Sequence, residues 1–370
     1  MFFKLFFRNL FFLIILTSCS FEQKSNHLFN EKDNLFNEKD NEIKIQYAKH
    51  FGIIKNKTTT KIFVIQSNND TLFYNIEKPF KRLAVLGTIP AYQLELLNAL
   101  NLIVAIDDSK YYFNNEIQNL VSQKKVFEVL PNLQWNYETL LLSKSDVIIT
   151  YSPIDNPKLS EILKSHQIQH ILYLDYLEQH PLGRTEWIKL IGCLIQKDSL
   201  AEKIFTEIEK KYLELKAMTD TIKNRPSVLT EVMYNDVWYI AGNKSYISQL
   251  IKDAGGKYIF DFHQYENSKP YSFEYMLKYA KDADYWIHLH HFQSLQQMKN
   301  NTPKYALFKS FQEKRCFNND KRKNLYGYND YYESGICQPN LLLKDLIQIF
   351  HPELFSNQNE LTYYYLLPEK

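Results

Sequence analysis

The segment Asn136-Tyr137-Glu138-Thr139-Leu140-Leu141-Leu142-Ser143-Lys144-Ser145-Asp146-Val147-Ile148-Ile149 has an echo at Ser272-Phe273-Glu274-Tyr275-Met276-Leu277, closed after two extra residues by Asp284-Tyr285-Trp286-Ile287. Each copy places an Asn or Ser two residues before a Glu, then an apolar helical run, an Asp and a β-rich apolar run. Asn and Ser side chains accept from the free N–H groups that open a helix, and a Glu in the first turn meets the positive end of its dipole. The apolar runs that follow read as buried strands. Two such units, about 136 residues apart, imply two similar α/β lobes.

The flanking sequence supports the same architecture. Leu83-Ala84-Val85-Leu86-Gly87 is an uninterrupted apolar run of the parallel-strand kind, and a helix carrying Leu94, Leu97 and Leu100 follows it. Strand-like runs at Leu102–Ile106, Val147–Thr150 and Ile171–Leu174 continue the alternation, which implies a mainly parallel sheet covered on both faces. Upstream, Ile43–Tyr47, Lys61–Gln66 and Thr71–Ile76 are strand-like as well. In the middle, the spacing predicts one amphipathic helix over Arg184–Ile195 and a second from Leu200 to about Thr221, stopped by Asn224-Arg225-Pro226. The second lobe then opens at Val228–Val232, with a Ser245-capped helix ending at Gly255-Gly256. The expected organisation is residues 42–185 as an N-terminal lobe, 186–223 as a helical linker and 224–370 as a C-terminal lobe.

With 44 Lys and Arg against 42 Asp and Glu, the chain has no polyelectrolyte field, so nucleic acid is not an expected partner. Aromatic residues are plentiful, with 27 Tyr and 25 Phe; most belong in the core, and the remainder could line a cleft. At the N-terminus, Lys4 and Arg8 precede the apolar run Leu10–Leu16 and then Thr17-Ser18-Cys19. That run is too short to span a bilayer and has the form of a secretory signal. Leu16-Thr17-Ser18-Cys19 resembles the bacterial lipobox, so residues 1–19 are expected to be removed up to a lipid-modified Cys19. Residues 20–41, which hold two copies of Leu-Phe-Asn-Glu-Lys-Asp-Asn, read as a flexible tether. Cys193, Cys316 and Cys337 leave disulfide pairing open, with Cys193 favoured as a small core residue.

Taken together, the motifs resemble the substrate-binding proteins of ABC importers for metal chelates, which cover ferric siderophores, haem and cobalamin. The resemblance runs from about Lys81 to Phe355. It rests on Asn136-Tyr137-Glu138 with Ser145–Ile149, on Trp238–Gly242 leading to Leu250–Gly256, on Ser272-Phe273-Glu274, and on Pro339 with Asp345-Leu346 and His351-Pro352-Glu353. It implies two Rossmann-like lobes joined by a long helix, no enzymatic reaction and no cofactor beyond the bound cargo. It further implies a monomer in the periplasm, lipid-anchored through Cys19, that docks on an ABC permease dimer with its ATPase. One Glu of each lobe makes that docking in the family, and the matching positions are Glu138 and Glu274. Many relatives have Arg before the proline of the C-terminal motif; Gln338 stands there in this chain, so a preference for acidic chelates is not inherited.

Cargo is expected between the lobes, at strand ends and the loops beyond them. The candidate ligand-binding residues are Tyr92, Tyr111, Tyr112, Tyr151, Trp238, His288, His290, His291, Tyr328, Tyr331 and Tyr332, with Tyr326 beside them. Their rings offer apolar faces with polar edges, which suit a tetrapyrrole or an aromatic siderophore. His288 and His290 would share one side of an extended segment, where one of them could approach a metal. Direct metal ligation stays undecided. Two rival readings are a hydrolase-like cleft enzyme and a surface-binding lipoprotein, although the chain has no nucleophile elbow, phosphate-cradling loop or zinc-protease helix.

Overall fold

A computed structural model of the protein describes residues 41–370 apart from 57, 58, 266 and 357–359. The lipobox with Cys19 and the tether up to residue 40 lie outside the described residues. Two open sheets form the body. The first has the order β7-β6-β5-β8-β9 and is parallel throughout, built from β5 (Leu83–Val85), β6 (Ile103–Ile106), β7 (Phe127–Glu128), β8 (Val147–Thr150) and β9 (Gln169–Leu172). The second has the order β12-β10-β14-β15-β16, built from β10 (Ser227–Thr230), β12 (Lys257–Tyr258), β14 (Tyr285–Ile287), β15 (Cys316–Asn318) and β16 (Tyr365–Leu366). Only β16 runs antiparallel to its neighbour in that sheet, and β11 (Trp238–Ile240) and β13 (Lys269–Tyr271) pair as a separate antiparallel ribbon.

The repeated segment explains why both halves adopt this form. Asn136 Oδ1 accepts from Thr139 N–H (3.1 Å), and Ser272 Oγ accepts from Tyr275 N–H (3.2 Å), so each helix starts where its cap dictates. Each motif Asp then ties its strand to the neighbouring strand of the sheet. The Asp146 carboxylate accepts from the N–H groups of Lys81 (2.8 Å) and Arg82 (3.2 Å), just ahead of β5. The Asp284 carboxylate accepts from Ser227 N–H (2.8 Å), at the start of β10. A buried strand needs its leading donors satisfied, and these two carboxylates do so at equivalent places.

Helices Pro181–Glu186, Ile188–Leu194 and Asp198–Thr219 join the sheets. The single helix expected over Arg184–Ile195 is two helices that begin earlier. They break at Trp187, whose fully buried indole donates to Glu178 Oε1 (3.1 Å). The third helix is 22 residues long, about 33 Å at the α-helical rise, and buries Phe205, Ile208 and Tyr212. Tyr212 hydroxyl donates to Asp253 Oδ2 (2.7 Å), which fastens this helix to the second lobe.

Residues 41–76 stand apart from the parallel sheet. They form an antiparallel meander of β1 (Asn41–Ile43), β2 (Phe51–Lys55), β3 (Thr60–Ile65) and β4 (Thr71–Ile76). Sequence reading missed β2 and extended β1 to Tyr47. It also assigned Asn41 to the tether, whereas the first strand opens there. Cys193, Cys316 and Cys337 are all buried free thiols, so the pairing left open by the sequence is not used.

Gly87, directly after β5, has φ +141°, and a Cβ there would lie 2.1 Å from the Tyr151 ring. Only glycine tolerates both demands. Gly87→Ala is expected to lower stability by about 1–3 kcal/mol and to displace Tyr151, with urea unfolding and a structure of the variant as the checks.

Candidate ligand-binding site

In both sheets the chain order reverses beside the sheet's first strand in sequence, β5 or β10, and loops at such carboxyl ends diverge to leave a crevice. A cavity of about 960 Å³ opens there between the lobes. Its first wall carries Tyr176, Leu177, Glu178 and Arg184 from the loop and helix after β9. Its second carries Glu231, Tyr246, His288, Tyr331 and Tyr332, and its third Ile54, Phe63, Ile65 and Phe73 from the meander.

Arg184 is the charged anchor of the first wall. Its Nε (2.8 Å) and Nη2 (2.6 Å) both donate to Asp175 Oδ2, and Asp175 is fully buried. Burial pushes the Asp175 carboxyl up despite the guanidinium, whereas Arg184, opposed by its own burial, is held above its ordinary value by Asp175. Among the described residues, the Tyr246 hydroxyl is buried without a hydrogen-bond partner, and its ring lies 5.4 Å beneath the Arg184 guanidinium.

Across the cavity, Glu231 holds two histidines. Its carboxylate accepts from His288 Nδ1 (3.3 Å) and His290 Nε2 (2.5 Å), and His288 Nε2 meets the Tyr364 hydroxyl at 2.8 Å. The backbone here is not the extended segment expected: β14 ends at Ile287, and His288 and His290 have φ of +62° and +55°. Glu231 itself has φ +64° and is fixed from behind, where its carbonyl accepts from Trp286 Nε1 (2.7 Å). Burial raises the Glu231 carboxyl, but the two imidazole bonds outweigh it and hold the group down at about 2. His290 is raised in turn, chiefly by its bond to Glu231. Among the described residues no three or more His, Cys, Asp or Glu side chains are grouped to hold a metal ion.

The sign of these shifts sets a pH dependence. The Glu231 contribution is present above the ordinary value of 4.5 and is lost as pH falls towards 2. The His290 contribution is full below 6.5 and is lost as pH rises through the elevated histidine value. The stability difference between the parent and His290→Ala should therefore peak between these limits and shrink on either side. Urea unfolding across pH 3–9 checks it; a difference that grows above pH 8 would contradict the assignment.

Of the residues predicted from sequence, His288, Tyr331 and Tyr332 line the cavity. Tyr151 is one layer behind it, packed against Tyr173 (6.0 Å) and the wall residue Tyr176 (6.4 Å). His290 is a half-exposed neighbour on Glu231, and His291 is exposed. Two candidates do not reach the cavity because they are core. Tyr112 is fully buried with its hydroxyl on Asp107 Oδ1 (2.6 Å) and Val85 O (3.0 Å), and fully buried Trp238 stacks on Trp286 at 5.5 Å.

Tyr111, Tyr328 and Tyr92 belong to a seam where the lobes touch beside the cavity. Tyr111 meets Tyr328 edge to face at 4.8 Å, and Gln338 Nε2 donates to the Tyr92 hydroxyl (2.6 Å). Tyr326 is an exposed residue of the same loop as Tyr328. In that seam Phe113 N–H donates to Glu333 Oε2 (2.8 Å), and burial raises the Glu333 carboxyl to about 8. Sequence reading missed Arg184, Glu231, Tyr246 and Tyr176. The signal for Arg184 was available: it and Lys189 are the two cations of the mostly apolar run Pro181–Leu194, and a cation must be paired when such a run is buried.

Glu138 and Glu274 are both exposed, each in the first turn of its capped helix, one per lobe. Hydrogen bonding from the helix start, its own backbone N–H and Ser272, lowers the Glu274 carboxyl.

Residues 83–322, well over half of the chain, match the family model described as periplasmic binding protein. The chain belongs to that family. An uncharacterised lipoprotein of Methanocaldococcus jannaschii is 28% identical over 260 residues, which is 70% of this chain and 59% of the relative. The chain thus spans less than two thirds of that relative. A second uncharacterised protein of the same organism is 25% identical over 87% of this chain and 95% of its own length. Among solved structures, a periplasmic binding protein from Veillonella parvula aligns with a TM-score of 0.61 at 14% identity, covering 80% of this chain and 99% of its own. The periplasmic heme-binding protein RhuT of Roseiflexus aligns with a TM-score of 0.54 at 15% identity, covering 74% and 99%. These likenesses show a shared two-lobed fold. The family binds solutes, and no described helix is long and apolar enough to cross a membrane.

Proposed function

We propose that the protein is a lipid-anchored substrate-binding protein of an ABC importer that captures a metal chelate between its lobes and hands it to a permease. The interlobe cavity carries this reading: its volume of about 960 Å³, its tyrosine and phenylalanine walls and its partly buried arginine suit a large aromatic chelate. Solved proteins of the same fold include ones described as heme-binding and as an Fe3+-hydroxamate transport system. The anchor is supported by the lipobox at Cys19 and by two relatives named as lipoproteins. Arg184 offers the fixed cation that Gln338 does not supply. Glu138 and Glu274 fit the permease-docking role because they present one water-exposed charge per lobe.

The test uses the full chain in mild detergent with haemin, cyanocobalamin and a ferric tricatecholate. One of these is expected to bind stoichiometrically, with a spectral change and a stabilisation of about 2.7 kcal/mol at a hundred times its Kd. Failure of all three together with turnover of a model ester would support the hydrolase reading instead.

A further inference from the structure

We propose that the meander β1–β4 is a third wall of the cargo site, selecting a cargo that has a flat apolar face and anionic groups at its edge. This rests on the binding reading above. The meander precedes the family match at residue 83, yet it supplies a continuous part of the cavity lining.

Strand alternation assigns its two faces. Phe51, Ile53, Ile62, Val64 and Ile76 are buried in the core of the first lobe. The opposite face carries Ile54, Phe63, Ile65, Thr71 and Phe73, and every one of these lines the cavity. Phe63 is the cross-strand partner of both Gly52 and Phe73. A Cβ at residue 52 would lie 2.1 Å from the Phe63 ring, so glycine lets that ring lie flat across β2. Phe73 is 57% exposed, an apolar ring presented at the cavity with little of the protein over it. One large exposed ring is common; one that continues a cavity-lining strand face opposite Phe63 is a contact surface.

The wall is fixed to the first lobe. Five consecutive N–H groups donate to two carboxylates: Gln46 (2.8 Å), Tyr47 (2.7 Å) and Ala48 (2.9 Å) to Glu186, and Lys49 (2.9 Å) and His50 (2.9 Å) to Glu178. At the other end Leu172 N–H donates to the Tyr74 hydroxyl (3.2 Å), which ties β4 to β9. The wall therefore moves with the first lobe. The charge preference comes from the rim: exposed Lys49 of the meander and exposed Lys244 of the second lobe line both this cavity and a smaller one of about 240 Å³ beside it. Arg184 is already bonded to Asp175, and Glu178 and Glu231 already accept hydrogen bonds from the protein, so the preference rests on Lys49 and Lys244.

The experiment compares the full chain with Phe73→Ser and Lys49→Glu, using haemin, cyanocobalamin and a ferric tricatecholate as probes. The parent should retain haemin or the tricatecholate, and each variant should weaken that Kd at least tenfold while the melting temperature without probe stays unchanged. If the parent binds a probe and both variants match its Kd, the meander is not a wall, and the binding reading survives. If cyanocobalamin alone binds, the anionic preference is wrong. If no probe binds the parent, the binding reading falls and takes this inference with it.

Discussion

Arg184→Leu is expected to cost about 3–5 kcal/mol of stability near pH 7.5, the usual penalty for leaving one member of a buried ion pair alone. Asp175 has no solvent to fall back on, and Oδ2 takes both guanidinium bonds while Oδ1 has no partner among the described residues. Without Arg184 the carboxyl must protonate, so its folded pKa rises further above the unfolded value. A raised acid favours the folded state at low pH and loses that advantage as pH rises. The cost of Arg184→Leu should therefore be smaller at pH 5 than at pH 7.5. Adding Asp175→Asn should recover most of the loss, because it removes the orphaned charge. Urea titrations of the parent, each single variant and the double variant at the two pH values measure this; an Arg184→Leu cost below about 1 kcal/mol at pH 7.5 would mean that the pair does not act as described.

The second large effect concerns docking. Reversing both Glu138 and Glu274 to Arg should abolish uptake by cells that carry the cognate permease, a loss of roughly a hundredfold or more, because like charges set opposite one another at an interface cost several kcal/mol. Cargo affinity should not change, since neither residue lines the cavity. The fold should weaken only by about 0.3–1 kcal/mol per site, the price of a cation at a helix N-terminus. Uptake equal to the parent with both replacements present would reject the docking role.

The parts of the fold written in local patterns were legible. The Asn136 and Ser272 caps and the continuous apolar strands act through neighbours in sequence or through simple burial, so their form follows from residue type. Position in the cleft was less legible, because whether a tyrosine lies at a strand exit or under it depends on register. Tyr111 and Tyr112 are adjacent, yet one meets Tyr328 edge to face in the seam and the other is sealed in the core. The meander's part was not legible at all. Its strand β2 reads Phe51-Gly52-Ile53-Ile54-Lys55, apolar on both faces, and only the placed structure shows that one of them turns to a cavity. Glu231 was hidden for a related reason, since its histidine partners lie 57 and 59 positions away.

The stacked Trp238–Trp286 pair gives the second lobe an optical signature of its own. Two indoles 5.5 Å apart with 21° between their planes lie within range of transition-dipole coupling, and each also donates a hydrogen bond to the end of β10 or the residue after it. Near-ultraviolet circular dichroism is therefore expected to carry a coupled contribution from that lobe, while Trp135 and Trp187 contribute from the first lobe and the helices beside it. Melting followed at the two signals tells whether the halves lose their order together or one after the other.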